Sequence, residues 1–87
     1  MGFLGLDIEA VRRLSRQLHT QSDEIALATK ELTTVVESTD WIGADHTAFL
    51  HEWQTQHAPA LRRSSELLRE AGDYAHQGGA AQEQASR

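Results

Sequence analysis

The chain has 87 residues and a mass of 9.7 kDa, enough for one domain at most. Its formal net charge is −5, and its arginines lie among acidic residues, so nucleic acid is not an expected partner. Cysteine is absent, which excludes disulfides and thiolate metal sites.

The first six residues are expected to form a flexible N-terminus. They contain no basic residue and too short an apolar run for a cleavable signal peptide. No run in the chain approaches the roughly 20 apolar residues of a membrane-spanning helix, so stable membrane insertion is not expected.

The first helix is predicted over about residues 7–39. Two apolar series follow the seven-residue period of a coiled coil: Val11, Leu18, Ile25 and Leu32 in one, and Leu14, Ala28 and Val35 in the other. Asp7 is a suitable N-cap, because its carboxylate accepts a hydrogen bond from the first helical turn.

A turn is predicted at residues 40–44, around the tripeptide Trp41-Ile42-Gly43. Glycine allows the backbone conformations that end one helix and begin the next. The Trp41 ring is expected to bury a large apolar surface and so lock the tip of a helical hairpin.

The second helix is predicted over about residues 45–75, with a kink near Pro59 or, as the alternative, a break into two pieces there. Its apolar positions with three-and-four spacing are Phe49, Trp53, Ala60, Leu61, Leu67, Leu68, Ala71 and Tyr74. Residues 77–87 have no apolar face and are predicted to form a flexible C-terminal tail.

The predicted fold is all-α, an antiparallel two-helix hairpin over residues 7–76. Two helices bury too little apolar surface to offset the entropy of ordering them, so two hairpins are expected to pair into a four-helix bundle. The residues predicted at that dimer interface are Val11, Leu14, Leu18, Ile25, Leu32, Val35, Trp53, Leu61 and Leu68.

No catalytic, metal or cofactor site is predicted. His51-Glu52 begins like the zinc-protease signature, but Thr55 stands where the second histidine is required. Asp40 and Asp45 flank the turn, where capping is the better interpretation than an acid–base pair. We therefore expect a protein that is not an enzyme.

The tripeptide, the flanking helices and Phe49, six residues after Gly43, together resemble the Trp-x-Gly (WXG) family of small bacterial proteins. These early-secreted-antigen-like proteins are substrates of type VII (ESX) secretion. The resemblance covers nearly the whole chain. It implies a dimer of hairpins, homotypic or heterotypic, made in the bacterial cytoplasm and exported to the cell surface or medium without a signal peptide.

The family resemblance also implies a C-terminal secretion signal that the ESX membrane ATPase binds. That signal is a tyrosine followed four residues later by Asp or Glu. Tyr74 matches the tyrosine, but Gly78 stands at the acidic position, so the signal is degenerate. A partner hairpin with a complete signal would explain this, which slightly favours a heterodimer.

Two other functions remain open from the sequence. The hairpin is alternatively an intracellular adaptor or chaperone-like partner that stabilises a larger exported protein. It is alternatively a cytosolic coiled-coil subunit in which the Trp-x-Gly turn is a coincidence.

Overall fold

A computed structural model describes residues 7–41 and 43–85, which are helical apart from the connection at the tip. Helix α1 spans Ile8–Ser38, α2 spans Ala44–Glu52 and α3 spans Ala58–Ala85, with one π-helical segment, Trp53–His57, joining α2 to α3. Contacts pair Ser15 with Gly72 and Ser22 with Ser65, so α1 and α3 run antiparallel. The all-α hairpin is confirmed, and the described residues contain no strand.

The ends of α1 follow from local side-chain chemistry. Asp7 has an extended backbone, and its Oδ1 accepts a hydrogen bond from the Ala10 N–H at 3.2 Å, as expected of an N-cap. At the other end the Thr39 backbone is extended and its N–H donates to the Val35 carbonyl at 2.9 Å. The helix therefore begins and ends on capping contacts at Asp7 and Thr39.

The connection from α1 to α2 covers residues 39–43, and its glycine is required by the backbone. Gly43 has φ 115° and ψ −177°, a conformation that only glycine adopts readily. The Gly43 carbonyl then accepts from the His46 N–H at 3.3 Å as α2 begins. Ile42, the middle residue of the tripeptide, lies outside the described residues.

Pro59 is accommodated inside a continuous helix. The Ala58 N–H donates to the Trp53 carbonyl, five residues back, and the backbone on both sides of this π-turn is helical. The extra residue in the turn lets the helix pass a proline that cannot donate a hydrogen bond. The predicted alternative of a break at Pro59 is therefore wrong.

The C-terminal helix continues to Ala85, so the flexible tail predicted from residue 77 is wrong for residues 77–85. Two contacts with α1 account for the extra turns. A Cβ built on Gly79 would lie 3.3 Å from Val11 Cγ1, so the two helices touch there, and Arg12 forms an ion pair with Glu83. Residues 86–87 and the predicted flexible segment 1–6 lie outside the described residues.

The hairpin is a rod. Its extents are 65 × 16 × 16 Å, and its radius of gyration is 19.3 Å, where a compact domain of this length has about 12 Å. Among the described residues, the only buried hydrophobic ones are Trp53 and Ala58. A rod of this kind has almost no apolar interior of its own.

Candidate functional site

The seam between α1 and α3 is built from small residues spaced seven apart. On α1 these are Ser15, Ser22 and Thr29, and on α3 they are Ala58, Ser65, Gly72 and Gly79, all of them buried. Small side chains let the two backbones approach closely. The seam centre therefore lies on neither of the two predicted apolar series. It falls one residue after the series of Leu14, Ala28 and Val35, and three residues before Leu18, Ile25 and Leu32.

Hydroxyl groups join the two backbones directly across this seam. Ser15 Oγ donates to the Gly72 carbonyl at 2.8 Å. Ser22 Oγ donates to the Ser65 carbonyl at 2.7 Å, and Ser65 Oγ donates to the Ser22 carbonyl at 2.9 Å. No buried side-chain nitrogen or oxygen in the described residues lacks a hydrogen-bond partner, so this polar seam carries no desolvation penalty from unpaired groups.

One flank of the seam is held by charged side chains. Its three interhelical pairs are Arg12 with Glu83, His19 with Asp73 at 2.8 Å, and Arg69 with Asp23 at 2.8 Å. All of these side chains are at least one-third exposed, so each pair contributes little stability. Their main effect is to make this flank polar and unsuited to apolar packing.

The opposite flank is apolar on both helices, and we call it the apolar face. On α1, each residue of this face stands one residue before or three residues after a seam position of the seven-residue repeat. On α3, each stands two or three residues after a seam position. In an antiparallel pair these positions lie on the same side of the hairpin. Its large residues are Val11, Leu14, Leu18, Ile25, Leu32 and Val35 on α1, and Leu61, Leu67, Leu68 and Tyr74 on α3.

Burial divides the predicted interface residues other than Trp53 into two groups. Leu14, Leu32 and Val35 are exposed. Val11, Leu18, Ile25, Leu61 and Leu68 are half-buried, because they flank the seam as well as facing outward. Leu67 and Tyr74 lie on this surface but are absent from the predicted interface. Their seven-residue spacing from Ala60 is the sequence signal that includes them.

Trp53 is not available at this surface, which corrects its assignment to the dimer interface. It is only 9% exposed, and its indole N–H donates to Thr33 Oγ1 at 2.9 Å. The ring therefore lies inside the hairpin and ties the π-helical turn to α1. It does the locking that the sequence analysis assigned to Trp41.

Trp41, Gly43 and Phe49, the predicted hairpin-turn motif, all lie at the tip. Trp41 is 44% exposed and its ring centroid lies 5.6 Å from that of Phe49, so the expected burial of Trp41 is wrong. The predicted signal residues lie toward the other end of the rod on α3. Tyr74 is 80% exposed, and a Cβ built on Gly78 would meet no atom within 4 Å.

The described part of the chain contains neither a metal site nor a membrane-spanning helix. No group of three or more His, Cys, Asp or Glu side chains there is placed to hold a metal ion. No helix in it is both long enough and apolar enough to cross a membrane. Comparison with known proteins gives no relative: no protein-family model, no curated protein and no solved structure matches this chain.

Proposed function

We propose that this protein is a non-enzymatic hairpin subunit of the Trp-x-Gly type, which pairs with a second hairpin into a four-helix bundle exported by a type VII (ESX) machine. The apolar face carries the proposal. It presents two rows of large aliphatic side chains to solvent while the seam is filled by small and hydroxylated residues. A second hairpin is the partner whose shape covers such a long, flat face.

The total surface supports a need for such a partner. The accessible area is 6409 Å², whereas a compact monomer of this mass exposes about 5,100 Å². The difference, roughly 1,300 Å², exceeds the about 800 Å² that each partner buries in a standard interface. Pairing would therefore bring the exposed surface per chain down to an ordinary value.

A matched pair of leucine variants tests the pairing. Leu14 lies on the apolar face and is 50% exposed; Leu27 is 57% exposed but lies five residues after Ser22, on the outer side of α1. We expect Leu14→Asp to weaken association tenfold or more, because it places an unpaired charge in the interface. Leu27→Asp should associate like the unchanged protein.

Analytical ultracentrifugation at micromolar concentration is the measurement, on the chain alone and mixed with the hairpin encoded beside it. A monomer in both conditions, or equal loss of association in the two variants, would refute the proposed pairing surface. Association only in the mixture would establish the heterodimer that we favour, and self-association alone would replace it with a homodimer.

The heterodimer is favoured because the tail signal lacks its acidic residue. Tyr74 is 80% exposed on α3 of the single hairpin, but Gly78 offers no carboxylate. A peptide of residues 70–87 is expected to bind the cognate ATPase weakly, and Gly78→Asp should improve binding by a contact of about 1.5–3 kcal/mol. Gly78→Ala is the control for added helix propensity.

Fractionating the producing bacterium separates export from the intracellular alternative. Export predicts the chain in the culture filtrate or at the surface, and its loss from there when the partner's complete signal is mutated. An adaptor or chaperone-like subunit would stay with the cells while its larger partner appears outside. Native tail peptide that binds as tightly as the Gly78→Asp peptide would instead favour autonomous export.

A further inference from the structure

The tip of the hairpin carries three neighbouring rings, those of Trp41, His46 and Phe49, which form the tip patch. The Trp41 ring centroid lies 5.6 Å from that of Phe49 and 5.9 Å from that of His46. His46 Nε2 lies 3.3 Å from the Val36 carbonyl oxygen, which ties the patch to the end of α1. Trp41 and Phe49 nevertheless remain exposed, so the tip holds two large rings in contact with solvent.

The charge of the molecule is concentrated around this patch. Residues 31–61, the segment of the chain around the tip, contain no Lys or Arg, and the nearest ones along the sequence are Lys30 and Arg62. They do contain five carboxylates: Glu31, Glu37, Asp40, Asp45 and Glu52. All 8 Lys and Arg residues lie outside this segment, where the other 8 acidic side chains balance them, so the formal charge of −5 equals the charge of residues 31–61.

The carboxylates nearest the tip patch are not neutralised by Lys or Arg side chains of the described residues. Glu37, Asp40 and Asp45 are exposed, and none of the three forms an ion pair with a described residue. In the other half of the rod, by contrast, Asp23 pairs with Arg69, and Asp73 bonds to His19. The tip therefore presents uncompensated negative charge beside exposed aromatic surface.

We propose that the tip patch is a docking surface for an arginine-bearing segment of another protein. A guanidinium group stacks on an exposed Trp or Phe ring and, at the same time, donates hydrogen bonds to nearby carboxylates. Anionic partners, including nucleic acids and acidic lipid surfaces, would be repelled by the same charge. The tip patch shares no residue with the apolar face, so this inference does not depend on hairpin pairing.

The test is titration of the full-length, ¹⁵N-labelled protein with a capped nonapeptide of alternating glycine and arginine. The chain's two tryptophans, Trp41 and Trp53, give separate indole N–H signals in a two-dimensional NMR spectrum. We expect the Trp41 signal to shift on saturation, while Trp53, buried and bonded to Thr33, shifts little. The same peptide with glutamate in place of arginine should shift neither signal, and the lysine version should bind more weakly.

Variants then assign the binding to the patch. Trp41→Ala should weaken peptide binding about fivefold or more, which corresponds to the loss of a cation–π contact. Phe49→Leu keeps the apolar bulk and removes a ring, so it should weaken binding even if Trp41→Ala perturbs the fold. Tyr74→Ala, which removes an exposed ring from the other half, is the matched control and should have no effect.

Charge variants distinguish a local contact from general attraction. The double variant Asp40→Asn, Asp45→Asn should weaken arginine-peptide binding, whereas Glu24→Gln, Glu70→Gln removes the same charge from the other half and should leave it nearly unchanged. The proposal is overturned if the two double variants behave alike, if the Trp41 signal does not move, or if Trp41→Ala and Phe49→Leu both bind as tightly as the unchanged protein.

Discussion

The two tryptophans illustrate how environment, rather than residue type, sets the role of a side chain in this hairpin. Trp53 is buried against α1 and hydrogen-bonded to Thr33, whereas Trp41 lies partly exposed on Phe49 at the tip. The sequence predicts the locking role for Trp41, because Trp41 belongs to the recognisable Trp-x-Gly motif. Trp53 carries no motif, and its burial depends on the π-turn that starts at the same residue.

Trp53→Ala should therefore destabilise the fold much more than Trp41→Ala. We expect about 3–5 kcal/mol for Trp53, because a buried ring and its hydrogen bond are removed, and about 1 kcal/mol for Trp41. Urea denaturation followed by circular dichroism measures both. The reverse order of the two losses would show that the Trp41 ring is the one that locks the hairpin.

Gly72 leaves room for the His19 side chain, which packs against the Gly72 backbone from the opposite helix. A Cβ built on Gly72 would lie 2.5 Å from His19 Cδ2, closer than real contacts allow. Gly72→Ala should thus cost about 1–3 kcal/mol through overpacking. Adding His19→Ala should recover most of that loss, although it also removes the hydrogen bond to Asp73. Additive losses in the double-mutant cycle would contradict this explanation.

At the scale of the helices, the seven-residue period of the sequence was predictable. Which position of each repeat faces the other helix was not. The sequence shows the seven-residue repeat clearly, and it predicts that the two apolar series of α1 form the seam, because hydrophobic side chains usually fill one. The structure instead places Ser15, Ser22 and Thr29 at the centre. The signal was the matching small-residue series on α3, which only makes sense when the two helices are compared with each other.

The wrong predictions at Pro59 and at the C-terminus have a related cause, since both depend on helix propensity alone. Propensity alone predicts a kink or break at a proline, but an extra residue in the preceding turn absorbs it. Propensity also predicts a flexible tail after Gly78-Gly79. A glycine is unfavourable in an isolated helix, yet at Gly79 it allows close contact with Val11, so packing outweighs propensity.

Adjacent positions 21 and 22 of α1 provide a test of this phase. Ser22 is fully buried in the seam and Gln21 is exposed beside the apolar face. Ser22→Leu should destabilise the hairpin by about 1–3 kcal/mol or more, since no space exists for the larger side chain. Gln21→Leu should leave hairpin stability nearly unchanged and strengthen pairing. Chemical denaturation of both variants measures their free energies of unfolding. An unchanged stability of Ser22→Leu would favour the seam predicted from the sequence.

At the scale of the whole molecule, the seven-residue repeats explain both the hairpin fold and the apolar surface that it leaves exposed. Seven-residue repeats of small residues bring two long helices together without a large apolar core. Most of the aliphatic residues that would form such a core lie instead on the apolar face, with Leu27 as an exception. The sequence was sufficient to predict an all-α hairpin that leaves apolar surface exposed. That prediction depends on the number of apolar residues and not on which side of each helix they occupy.

The thermal stability of the hairpin should consequently depend on its partner. With so few buried apolar residues, the isolated chain is expected to unfold in a broad transition at low temperature. A second hairpin present at 100 times its dissociation constant adds about 2.7 kcal/mol, which for a chain of this size raises Tm by about 10 °C or more. Differential scanning calorimetry over a range of concentrations, with and without the partner, measures the shift. A sharp transition at high temperature that responds neither to concentration nor to the partner would show that the apolar face does not need to be covered.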